Sequence, residues 1–238
     1  MRKRWFVTMG VATLLGGIGT LGSIVGGQAA AAGDPAPASF TTTVDNPYFP
    51  LMPGTRLVFR GVKDGRGQTD RVTVTHRTKT ITGVDVVVVR DVAKHRDRLL
   101  EKTFDWYAQD VDGNVWYFGE NTKAFAPDGT VDTEGSWEAG VDGAVPGIVM
   151  EAAPRVADGY RQEFYAGHAE DQAWVQVTEG RVTVPYDTLH HVLRTVEWTP
   201  LEPDVYTLKF YAPGIGIVRE VDVSGPAETA ELIRAEIA

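Results

Sequence analysis

From Arg56 onward, apolar and polar residues alternate with a period of two in one short segment after another, and this pattern constrains the fold more than any other feature of the chain. Successive side chains of a strand point to opposite faces, so such alternation marks strands with one dry and one wet side. In 69–77, Val72 and Val74 alternate with Arg71, Thr73 and Thr75. In 84–92 the run Val86 to Val89 is continuously β-branched, which predicts a strand covered on both faces. Further strands are expected at 56–60, 99–108, 115–119, 160–165, 169–178, 181–184, 191–199, 205–212 and 215–223, with Gly-rich turns between them. No mid-chain segment carries a helical period. The tail 229–238 fits a helix through Ile233 and Ile237, or a strand through Ile233, Ala235 and Ile237. Regularly spaced strands without intervening helices indicate a sandwich or barrel rather than βαβ units.

The first 32 residues read as a cleaved signal peptide. Arg2, Lys3 and Arg4 precede an uncharged stretch from Trp5 to Val25, and Ala29 to Ala32 supply the small residues a signal peptidase needs. Residues 33–45, with Pro35 and Pro37, are expected to be a linker, and 46–238 a single antiparallel β domain. Asn46 to Thr55 holds Pro47, Pro50 and Pro53, which forbid a helix or central strand; Tyr48, Phe49 and Leu51 could then form an apolar strap over one sheet end. The stretch 127–159 is rich in Gly and acidic residues and is read as a long irregular capping loop anchored by Trp137.

Charge narrows the partners. The signal segment holds three of the chain's 23 basic residues and none of its 32 acidic ones, so the remainder stands near −12. Such a field repels phosphate backbones and anionic lipid, which excludes nucleic acid and disfavours a membrane surface once the signal is removed. The absence of cysteine removes disulfides, thiolate ligands and a lipid-modified cysteine, and with the signal segment it points to a released or wall-associated protein. Oligomeric state is not legible.

The site reading starts from Asp112-Gly113, a strong hairpin signal. A two-residue loop pairs Gln109 with Trp116, Tyr107 with Phe118 and Asp105 with Glu120, and puts all six on one face. A sheet face that mixes rings, an amide and carboxylates suits the wall of a ligand site. Asp105 opposite Glu120 needs a cation, a shared proton, or full solvation at a strand end beside Lys102 or Lys123. The expected ligand contacts are Tyr107, Gln109, Trp116, Phe118 and Trp137. If the protein is an enzyme, Asp105 and Glu120 are its acid and base.

Other motifs carry less. Asp110 to Asn114 resembles part of a calcium loop but lacks the closing Glu, and the turn itself accounts for Asp112 and Gly113. His76, His95, His168, His190 and His191 lack zinc spacing, and adjacent histidines on a strand point apart. Ser136 has no nucleophile motif around it. Glu163, Glu170, Asp171, Glu197 and Glu202 could gather near Asp105 and Glu120 and hold a divalent cation, or form a solvated acidic rim. No metal or cofactor is assigned.

Several stretches resemble a family of uncharacterised secreted proteins and lipoproteins of actinobacteria: Asn46-Pro47-Tyr48-Phe49-Pro50-Leu51, Asp105-Trp106-Tyr107-Ala108-Gln109-Asp110, Gly113-Asn114-Val115-Trp116-Tyr117-Phe118-Gly119-Glu120, Gly135-Ser136-Trp137, and Tyr211-Ala212-Pro213-Gly214-Ile215-Gly216-Ile217-Val218. The resemblance implies no activity or ligand. The expected fold is an all-β antiparallel meander closed or half-open into a barrel, lipocalin-like or lipoprotein-carrier-like. The expected function is a secreted binding protein for a small apolar or amphipathic molecule. The alternatives are a metal-independent lyase or hydrolase and a cell-envelope interaction module.

Overall fold

Alternation becomes strand pairing throughout the computed structural model, which describes residues 39–63, 65–225 and 227–238. The expected signal peptide, 1–32, and residues 33–38 of the expected linker lie outside these. The strands are β1 (Phe40–Thr41), β2 (Arg56–Lys63), β3 (Arg66–Ile81), β4 (Val84–His95), β5 (Arg98–Asp110), β6 (Val115–Phe125), β7 (Val131–Asp132), β8 (Trp137–Glu138), β9 (Val145–Met150), β10 (Gly159–Arg161), β11 (Glu163–Phe164), β12 (Gln172–Thr183), β13 (Thr188–Trp198), β14 (Tyr206–Ala212), β15 (Gly216–Ser224) and β16 (Thr229–Glu236).

They form one antiparallel sheet in the order β10-β12-β13-β14-β15-β16-β2-β3-β4-β5-β6-β9-β11. This is the expected meander. The ambiguous tail is its β16, which pairs with β2 and joins the two ends of the chain. The sheet is a nearly closed barrel. At its one seam β10 pairs with β12 and β11 pairs with β9, and only Gln162 separates the two short strands. The inward faces of these strands form the buried interior of the barrel, its lumen side.

Several local expectations change. The linker does not extend to residue 45: β1 pairs with the end of β5, and Val44 is buried. The stretch 127–159 is not one irregular cap. Three of its segments, β7, β8 and β9, pair with β6 and extend the wall. Gly180 was expected to break 169–184 into two strands. It is instead a bulge within β12, where an added Cβ would lie 2.9 Å from the Val192 carbonyl oxygen.

The strap closes one end. Phe49 and Leu51 are buried, and the Leu51 N–H donates to the Val44 carbonyl at 2.9 Å. Phe49 packs on Tyr107 of β5 (5.3 Å between centroids) and on Tyr211 of β14 (6.4 Å). Those strands are far apart in the sheet, so contact with one plug residue shows that both tyrosines face the lumen. Below the strap the lumen is lined by Leu57, Val72, Val74, Val89, Leu193 and Leu232. All four of Val86 to Val89 are buried, as their run predicts.

Candidate functional site

The hairpin β5–β6 keeps one predicted pair and changes the rest. Its loop is one residue longer than two, so Gln109 faces Val115, Ala108 faces Trp116 and Tyr107 faces Tyr117. A bulge follows at Phe118. Gly119 takes φ +122°, and the register recovers: Trp106 faces Gly119 and Asp105 faces Glu120. The two errors cancel at the carboxylates but not at the rings. Asp105, Tyr107, Gln109, Val115, Tyr117 and Glu120 therefore share the lumen face, while Trp116 and Phe118 point away from it. Both of those pack on Phe40 (6.0 and 5.4 Å), and the Trp116 Nε1–H donates to Asp110 Oδ2 at 2.8 Å.

Trp137 does reach the lumen wall. Opposite Glu120 in β8, its ring meets Tyr117 edge-on at 5.4 Å, and Tyr117 stacks on Tyr107 at 4.9 Å. Gln109 is occupied in holding the strap. Its Oε1 accepts the N–H groups of Asp45 and Asn46 at 3.0 and 2.9 Å, and its Nε2 donates to Asp45 Oδ1 at 2.7 Å.

Asp105 and Glu120 do not lie at a wet strand end. They are 0% and 2% exposed, and Lys102 lies against the Phe104 ring instead. The Tyr117 hydroxyl donates to Asp105 Oδ1 at 3.0 Å. Burial, then the Glu120 charge, pushes the Asp105 carboxyl well above the usual carboxylate range, against the pull of that hydrogen bond. The acidic wall continues where alternation alone did not place it. Asp91 of β4 and Asp70 of β3 are buried side by side. Burial holds Asp70 up at about 6, and burial with the Asp70 charge raises Asp91 well above the usual carboxylate range. Two ionised carboxylates offer each other no donor, so the pair forms a hydrogen bond only by sharing a proton. Glu101 and Thr103 continue the same face of β5. The signal that marks these residues is their phase: Asp70 with Val72 and Val74, Asp91 with Val87 and Val89.

A second polar group stands on the opposite wall and largely satisfies itself. Glu197 accepts from the hydroxyls of Thr195 and Tyr211, each at 2.9 Å, and lies 2.9 Å from Lys209 Nζ. Lys209 also lies 3.8 Å from Glu220. Burial opposes the lysine's charge, but Glu197 and Glu220 outweigh it and hold the ammonium above its ordinary range. Burial moves Glu220 up to about 7 despite Lys209. Glu163, Asp171 and Glu197 are thus inside the barrel rather than on a solvated rim. Glu170 stays at a turn, where it accepts the Gly167 N–H at 2.7 Å.

The remaining motifs are structural. Asp110 spends its oxygens on the Asp112 and Asn114 N–H groups, the Asn114 amide and the Trp116 indole, so its carboxylate serves the turn rather than calcium. Ser136 Oγ accepts the Thr122 N–H and donates to the Thr122 carbonyl, pinning the approach to β8. Among the described residues, no group of three or more His, Cys, Asp and Glu converges as metal ligands.

No family model matches the chain, and no curated protein matches it either. A solved "putative lipoprotein" from Parabacteroides distasonis ATCC 8503 is similar at 12% identity and a TM-score of 0.42, over 80% of this chain and 99% of that one. A likeness of that degree carries no argument about what this chain does.

Proposed function

We propose that the protein is a secreted or envelope binding protein that takes a small amphipathic molecule into its barrel. One observation carries the reading: a nearly closed antiparallel barrel places Tyr107, Tyr117 and Trp137 beside Asp105 and Glu120 on one inner wall. Rings beside a few polar groups are the lining of a small-molecule site. The signal-like segment 1–32 and the resemblance to actinobacterial secreted proteins and lipoproteins support the location. The test is a tryptophan-fluorescence and thermal-shift screen against lipids, terpenoids, amines and sugars. A saturable response, lost when Tyr107 or Tyr117 is changed to Ala in folded protein, is expected. A flat response across all classes contradicts the reading.

The opposed pair Asp105–Glu120 favours a second reading, a lyase or hydrolase in which a protonated Asp105 is the acid and Glu120 the base. It requires turnover of a glycoside or ester panel that Asp105→Asn and Glu120→Gln each abolish. Binding without turnover leaves the carrier reading alone.

A further inference from the structure

We propose that the outer face of β2 to β6 is a docking surface for an extended polymer of phosphate groups, held by Arg60, Arg71, Arg90, Lys94, Lys102 and Lys123. This surface lies outside the barrel and is separate from the ligand wall of the carrier reading.

The first ground is where the acids of the chain are. Eleven of the described acidic side chains are buried, against two basic ones, Lys63 and Lys209. On β3 to β6 the buried acids Asp70, Asp91, Glu101, Asp105 and Glu120 take inward positions, and alternation turns the basic residues of the same strands outward. Burial holds Asp91 and Asp105 toward their neutral forms, which limits how far the inner wall offsets the outer charge. The net charge of the whole chain, which opposes phosphate, therefore does not describe this face.

The second ground is register. Arg71, Val92, Lys102 and Lys123 face one another in a row across β3, β4, β5 and β6. Thr73, Arg90, Phe104 and Asn121 form the row on one side of it, and Arg60, Thr69 and Lys94 the row on the other. No acid occupies any of the three rows. Lys102 and Lys123 stand directly opposite each other, a placement that costs a sheet stability and that a shared anion relieves. Among the described residues, none of the six cations is in an ion pair; the pairs beside the face belong to Arg56 with Glu236 and to Arg219 with Glu231. Glu231, opposite Arg60 on β16, and Asp97, in the β4–β5 turn, bound the face.

The spread of the cations then selects the partner. Strands lie about 4.8 Å apart and outward side chains repeat about every 6.8 Å along a strand, so the six cations cover roughly 19 by 14 Å. That is too wide to converge on one phosphate. A polymer with a charge on every repeat meets the cations in succession, each further contact being made at a high effective concentration. Arginine forks and lysine ammonium groups both suit phosphate oxygens. A bilayer fits less well. The fully exposed side chains of the three rows are Arg, Lys, Thr and Asn, with Val92 and Phe104 half-buried between them, and attachment to lipid needs apolar side chains that insert.

The test is calorimetric titration of the protein with long-chain inorganic polyphosphate, with tripolyphosphate and with phosphatidylglycerol vesicles. The long polymer is expected to bind, tripolyphosphate about tenfold more weakly or worse, and vesicles not at all at matched phosphate concentration. Raising salt from about 50 to about 200 mM is expected to weaken the polymer on the order of a hundredfold, the counterion release of about five contacts. Lys102→Gln with Lys123→Gln is expected to weaken it about tenfold or more and to flatten its salt dependence. Arg71→Gln with Arg90→Gln is the second variant should the first not fold. Arg181→Gln, at an exposed arginine of β12, is the control and is expected to change nothing. No binding of the long polymer, an affinity indifferent to the folded double variants or lowered equally by the control, or vesicle binding as tight as that of the polymer overturns the docking surface. Each of these leaves the carrier reading standing, since the small-molecule screen tests that separately.

Discussion

Replacing Asp70 by Asn is expected to stabilise the protein at alkaline pH, the reverse of what removing a buried polar group usually does. In the unfolded chain Asp70 loses its proton near 3.8, whereas in the barrel burial holds it to about 6. Between those values the folded state binds more protons than the unfolded one, so stability falls as pH rises, and the cost is complete above the folded value. The difference of about 2 pH units is worth about 3 kcal/mol. Asparagine cannot ionise, and its amide can donate to Asp91, so Asp70→Asn recovers most of that amount at pH 8. At pH 4.5 the folded carboxyl is largely protonated while the unfolded one is still mostly ionised, so only about 1 kcal/mol of the gain remains. A change of about 3 kcal/mol corresponds to about 6–12 °C in melting temperature for a domain of this size. The assay is urea unfolding of both proteins at pH 8 and pH 4.5 at fixed ionic strength, with melting curves alongside. A destabilised variant at pH 8, or an equal shift at both pH values, refutes the reasoning.

Three further changes probe other parts of the account. Lys209→Met leaves Glu197 and Glu220 facing each other without their cation and is expected to cost about 3–5 kcal/mol at pH 8, and less at pH 5, where Glu220 is protonated; urea midpoints at the two pH values check it. Gln109→Ala strands the Asp45 and Asn46 N–H groups and is expected to cost about 2–4 kcal/mol, read as faster exchange of the strap amides. Gly119→Ala drives a Cβ to 2.2 Å from the Trp137 carbonyl oxygen at φ +122° and is expected to cost at least about 2 kcal/mol, with a loss of near-ultraviolet dichroism from the Trp137–Tyr117 pair.

The barrel was legible because alternation is a property of single strands, and a chain of alternating segments has few ways to bury them. Residues 229–236 were not, because Ile233 and Ile237 satisfy both periods; pairing with β2 decides the matter. Register was legible only in part. Asp112-Gly113 serves a two-residue or a three-residue loop equally well, and Gly119 carries no local mark of a bulge, so the facing of Trp116 and Phe118 came out reversed. The acidic lumen was hidden for another reason. Charged residues are ordinarily assigned to water, and Asp70 and Asp91, near the ends of the expected strands 69–77 and 84–92, drew no site reading although they are in phase with buried valines. The placing of 127–159 depended on distant strands, since β7, β8 and β9 are too short to declare themselves without β6 beside them.

The central claim is that the lumen wall on β3 to β6 is a dry acidic surface. Carboxyl-carbon NMR of the aspartates and glutamates from pH 4 to pH 9 addresses it residue by residue. Asp70 is expected to titrate near pH 6, with Asp91 and Asp105 also well above the range of exposed carboxylates. Titration of all three between about pH 3.5 and 4.5, the range of exposed carboxylates, would mean that bulk water reaches them and that the wall is not closed.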